Sequence, residues 1–170
     1  VIAVASVVGA AVIGGAFAIH FGLTAPHFSI ARVEVHGARR VDPATIVEAS
    51  GIAPGTNLFR LEPLEVVRRI EALPEIRRAD VVRSLPNRVT IVVEERRPFT
   101  LVHAGRLHWI DEEGVPIGIE RQAVAPRAPV ISGLSPEEIA TMRERPSPRA
   151  GAALALIRTL LRSGSPLASE

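Results

Sequence analysis

Seven of the 18 acids of this 170-residue chain stand in adjacent groups, Glu94-Glu95, Asp111-Glu112-Glu113 and Glu137-Glu138, and paired carboxylates are the simplest equipment for general acid and base chemistry. That chemistry needs both groups to converge on one substrate. Neighbours on a strand point to opposite faces of a sheet, so these acids read as solvated surface or turn charges, with Asp111 and Gly114 forming the turn of a hairpin. The five histidines, His20, His27, His36, His103 and His108, stand at no metal-ligand spacing such as H-E-x-x-H. No Cys is present to supply a thiolate or a disulfide. Serines and threonines lack the G-x-S-x-G or S-x-x-K surroundings of activated nucleophiles. The residues therefore predict no enzyme, no metal, no cofactor and no small-molecule substrate.

Paired arginines, Arg39-Arg40, Arg68-Arg69, Arg77-Arg78 and Arg96-Arg97, raise nucleic-acid binding as a class. They alternate with acids and lack interleaved aromatics, which is not the pattern of a phosphate-tracking surface. The sequence pI near 10.7 accompanies a formal charge of only +2, because every basic residue is Arg. Solvated faces or contacts with an acidic protein fit these arginines better, and no nucleic-acid partner is expected.

What remains is binding, and the elements that would position a binding surface are legible. The first twenty-five residues, VIAVASVVGAAVIGGAFAIHFGLTA, carry no Asp, Glu, Lys or Arg. As a helix they would rise far enough to cross a hydrocarbon core of about 30 Å. The run is longer than the apolar core of a cleaved signal and ends in no small-x-small site. It also has no polar face, as a surface helix would. Residues 1–25 are thus expected to be an uncleaved transmembrane helix. Ser6, Ala10, Gly14 and Ala18 recur every fourth residue and form a small-residue stripe suited to transmembrane packing.

Beyond it, FSIARVEVHGARRV alternates as a half-buried strand does, and Gly37 ends it. Asp42-Pro43 starts a helix that carries Ile46, Val47 and Ser50 inward and stops at Gly51. Glu62-Pro63 starts a second, with Val66, Val67, Ile70 and Leu73 at helical spacing. Two strands follow, IRRADVVRSL and NRVTIVVEERRP, joined around Pro86-Asn87. The second is apolar or β-branched on both faces and predicts an interior strand, whereas the first is charged and predicts an edge. The order β-α-α-β-β requires both helices to pack on one face of a three-stranded sheet, an α+β architecture. The edge at Ala79, Asp80, Val81, Val82 and Arg83 is the candidate partner-binding site, because unpaired backbone groups can accept an added strand. Its charges can equally serve to prevent such pairing.

In order along the chain, Phe28, Ile30, Val33, Val35 and Gly37 form F-x-I-x-x-V-x-V-x-G, and Pro54 to Phe59 form P-G-x-N-L-F. Ala79, Val81, Arg83, Pro86 and Asn87 then form A-x-V-x-R-x-x-P-N, and Ile91, Val93, Glu94, Glu95, Arg96 and Pro98 form I-x-V-E-E-R-x-P. Behind an apolar anchor this series resembles the FtsQ/DivIB family of cell-division proteins, with residues 27–98 similar to a POTRA domain. The segment Leu107 to Ile117 is similar to the opening of that family's second, β-rich domain. Its first strands are expected at Phe99 to Val102, Arg106 to Ile110 and Pro129 to Ile131, with helices from Ser135-Pro136 and from about Ala150 to Leu161.

The resemblance implies a non-catalytic scaffold at the inner (cytoplasmic) membrane, enriched at the septum, with its domains outside the cytoplasm. It implies FtsB-like and FtsL-like partners bound by terminal strands of the second domain, which residues 99–170 would hold only in part. The alternative class is a POTRA protein of polypeptide transport or outer-membrane assembly. Such proteins carry a cleaved signal, repeated POTRA units and a barrel, none of which this sequence presents.

Overall fold

The computed structural model describes residues 2–119 and 129–163, with side chains from residue 9 onward. The chain divides into two compact units, Val1–Glu95 and Arg96–Glu170.

In the first unit, α1 (Ile2–Thr24) is a 23-residue helix without an ionisable residue in its first or last turn. Its described side chains include Val12, Ile13, Phe17, Ile19 and Phe21, all exposed. Among the described residues no helix is long and apolar enough to cross a membrane. Pro26 opens a single 3-10 turn, Pro26–Phe28, so the first strand begins later than the alternation predicts, as β1 (Arg32–His36). Then come α2 (Pro43–Ser50), a 3-10 turn at Leu58–Arg60, α3 (Pro63–Glu71), β2 (Ile76–Ser84) and β3 (Arg88–Glu95).

Both helices start as the sequence requires. Each has Pro in its first turn, where a missing N–H costs nothing, and the Asp42 carboxylate accepts from the Ala44 amide at 2.9 Å. Gly51 ends α2 at φ +66°, a left-handed cap that a residue with Cβ enters only at a cost. The strand order is β1-β3-β2, so the apolar β3 is interior and β2 is an edge. β1 runs parallel to β3, pairing Val33 with Val89 and Val35 with Ile91, and β2 runs antiparallel, pairing Val81 with Ile91. Ile46 of α2 and Val66 and Ile70 of α3 share one core with Ala79, Val81, Val89, Ile91 and Val93, which places both helices on the same sheet face.

In the second unit, β4 (Thr100–Ala104), β5 (Arg106–Ile110), β6 (Pro116–Ile119) and β7 (Val130–Ser132) form a mixed sheet of order β6-β5-β4-β7, with β4 and β7 parallel. α4 (Pro136–Thr141) and α5 (Pro148–Arg162) complete it. α5 begins earlier than expected because Ser147-Pro148 repeats the cap of Ser135-Pro136; the Ser147 hydroxyl accepts from the Ala150 amide at 3.3 Å. Val102, Ile110, Ile131, Ile139, Met142 and Leu154 form the core of this unit.

Candidate functional site

The candidate edge is built by β2. Its residues alternate, with Ala79 and Val81 facing the helices and buried, and Asp80 and Val82 on the open face, where Val82 is about half exposed. In an antiparallel pair every second residue directs its backbone groups away from its neighbour strand. Here two of those outward donors are engaged. The Ala79 amide donates to Glu71 Oε1 at 3.0 Å, a carboxylate at the end of α3, and the Val81 amide donates to Asp80 Oδ1 at 3.0 Å. The Arg83 guanidinium donates to the Leu61 carbonyl before α3. The edge is therefore a row of donors covered by two acidic side chains, a geometry that resists casual strand addition.

Residues 28–96 match the FtsQ-type POTRA domain. The chain is 30% identical over 141 residues to the cell division protein FtsQ of Myxococcus fulvus, an alignment covering 81% of this chain and 50% of that protein. It is 38% identical over 90 residues to the FtsQ of Corynebacterium glutamicum, covering 52% and 40%. It is 29% identical over 161 residues to the FtsQ of an Anaeromyxobacter species, covering 92% and 54%. The chain belongs to the FtsQ family of cell-division proteins. It spans about half the length of the curated FtsQ relatives it matches.

The FtsQ-type match includes all of β2, so the five edge residues lie together in that domain. The small-residue stripe lies on α1, away from this edge. Ala10, Gly14 and Ala18 are exposed, and a Cβ built on Gly14 would meet nothing within 4 Å; the Ser6 side chain lies outside the described residues.

The acids expected to be solvated charges do other work. Glu95 reaches the loop before α2, its Oε1 accepting from the amides of Arg39 at 2.7 Å, Arg40 at 2.9 Å and Val41 at 3.0 Å. Burial pushes this carboxyl up, but the bonds from Val41, Arg39 and Arg40 and the charge of Arg40 together outweigh it and hold Glu95 below the ordinary carboxylate value. Asp111 is buried: its Oδ1 accepts from the amides of Glu113 at 2.9 Å and Val115 at 2.8 Å, while Oδ2 meets the Arg96 guanidinium at 2.6 Å. The predicted hairpin turn is present, closed by the Gly114 amide on the Asp111 carbonyl at 3.1 Å. Glu138 accepts from the Ser147 hydroxyl, tying α4 to the cap of α5.

Asn57 was legible only as part of P-G-x-N-L-F. Its Oδ1 caps the 3-10 turn by accepting from the Phe59 amide at 2.9 Å, and its Nδ2 donates to the Gly22 carbonyl of α1 at 3.0 Å. A local turn signal predicts the first bond; the second spans 35 positions and has no local signature.

Proposed function

We propose that this protein is a non-catalytic scaffold of the bacterial division machinery, held at the cytoplasmic membrane by α1, with its POTRA and β-rich units outside the cytoplasm. The observation that carries this reading is an FtsQ-type POTRA domain joined directly to a 23-residue helix without Asp, Glu, Lys or Arg. FtsB-like and FtsL-like proteins are the partners the family implies. An anchor raises the local concentration of weak binding surfaces, so modest contacts suffice once both partners share a membrane.

The β2 edge from Ala79 to Arg83 is the proposed docking strand of the POTRA domain, for a partner able to displace Glu71 and Asp80. Depletion should give filamentous cells, and photocrosslinkers along Ala79 to Arg83 should capture division proteins. Normal septation after clean deletion, in a strain without a second copy, would overturn the scaffold reading. Capture of outer-membrane precursors alone would instead favour the transport class, against which the FtsQ-type match now speaks.

A further inference from the structure

We infer that the α1-proximal end of the POTRA domain is a lipid-contacting surface, seated in the bilayer interface by Phe59 and held there by the Asn57 clasp on α1. The inference rests on the proposal that α1 is a membrane anchor.

Depth follows from two contacts. The Asn57 side chain donates to the carbonyl of Gly22, and the Phe59 ring lies 3.9 Å from where a Cβ on Gly22 would stand. Gly22 is in the last turn of α1, which ends at Thr24. A ring in van der Waals contact with that turn shares its depth, and the last turn of an anchor lies where hydrocarbon gives way to headgroups. Phe, like Trp and Leu on interfacial helices, buries at the headgroup/acyl boundary. Phe59 is 43% exposed although it stacks edge to face on Phe28, with ring centroids 5.0 Å apart, so one ring face remains for lipid.

The same end of the domain gathers other apolar groups. Leu64, in the first turn of α3, is 76% exposed, and Leu85, in the turn between β2 and β3, is 66% exposed. That turn is tied to the start of β1 by the Ala31 amide on the Asn87 carbonyl at 2.9 Å, and Leu61, just before α3, is tied to β2 by Arg83. Two segments, Phe59 to Leu64 and the turn between β2 and β3, thus bring exposed apolar side chains to the end where the chain leaves α1. Arg60 is exposed beside Phe59 and suits a phosphate headgroup, while Glu62 and Glu65 nearby limit any preference for anionic lipid. A rigid clasp with an apolar sole would fix the tilt of the domain on the membrane, and with it the direction in which the β2 edge points.

The test uses the full chain reconstituted into phosphatidylcholine and phosphatidylglycerol vesicles, with W109F removing the single native Trp. Single Trp probes F17W, F59W and R39W are read with lipids brominated at deep or shallow acyl positions. Arg39 lies beyond the distal end of β1 and is the unquenched reference. F17W should be quenched by deep bromines and F59W by shallow ones, with blue-shifted emission. Adding N57A should bring F59W towards R39W and leave F17W unchanged. If F17W is quenched while F59W behaves like R39W, or is blue-shifted but unquenched because protein covers it, the lipid surface is overturned and the anchor stands. If F17W is not quenched, the anchor reading fails and the inference with it. If N57A leaves F59W quenched, the clasp is overturned.

Discussion

Replacing Glu95 tests whether the POTRA domain depends on a carboxylate that bonds backbone across 54 to 56 positions of sequence. Three amides, those of Arg39, Arg40 and Val41, converge on its Oε1, and Oε2 takes a second contact from Arg40 at 3.1 Å. A hydrogen bond to a charged group is worth about 1.5–3 kcal/mol, and the partly exposed position discounts each one. Glu95→Ala should then cost about 2–4 kcal/mol and Glu95→Gln about 1–2 kcal/mol, since the amide keeps one acceptor oxygen but loses the charge. The pH dependence gives a sharper reading than the size. Folding lowers the Glu95 pKa below its ordinary 4.5, so its contribution is complete above the unfolded-state value and is lost as pH falls through the folded-state value. Urea unfolding of wild type and Glu95→Gln should therefore show a stability gap near neutral pH that narrows as the pH falls below 4.5 and through the lowered folded-state value. Amide exchange at Arg39, Arg40 and Val41 should accelerate in the variant at neutral pH. A gap that stays constant across the range, or unchanged exchange at those amides, would refute the role assigned to the carboxylate.

Gly37 sits at φ +87°, and a Cβ there would stand 2.1 Å from the Val93 carbonyl oxygen. Gly37→Ala should lower the thermal midpoint, costing at least the ~1–3 kcal/mol of a strained backbone residue, because the obstacle is main chain and cannot rotate away. Asp111→Asn removes the nearer of two carboxylates from the Arg96 guanidinium, 13% exposed, leaving Glu113 at 3.6 Å; the loss should stay below the ~3–5 kcal/mol of a broken buried pair and appear in the fluorescence of Trp109 on β5. Glu71→Ala uncovers the Ala79 amide and should increase concentration-dependent self-association, measured by sedimentation; an unchanged monomer fraction would show that Glu71 does not guard the edge.

The fold of the first unit was legible because its signals are local. Asp42-Pro43 and Glu62-Pro63 set the helix starts, Gly51 the stop, and the two-faced apolar pattern of Arg88 to Glu95 its interior place. The same kind of signal stands at Ser147-Pro148, and it starts α5 two residues ahead of Ala150. What local pattern cannot show is where a charged side chain ends. Glu95 reads as a solvated charge, Asp111 as a turn residue and Asn57 only as part of P-G-x-N-L-F, yet each of them, like Glu71, meets a backbone group, and for Glu95 and Asn57 that group is tens of residues away. Strand periodicity fixes the side of the sheet from which a side chain leaves, and long-range closure of the fold fixes what it reaches.

The covering of β2 changes what a docking partner must supply. An added strand would offer neutral carbonyls to the Ala79 and Val81 amides in place of two carboxylates, and a bond to a charged group is the stronger of the two. Backbone pairing alone therefore starts at a deficit, and generic extended peptides are disfavoured. A partner strand carrying Arg or Lys opposite Glu71 and Asp80 recovers the difference by pairing with the carboxylates it displaces. Specificity at this edge would then come from the same two acids that keep it closed, which joins the protective and the recruiting readings of its charges in one mechanism.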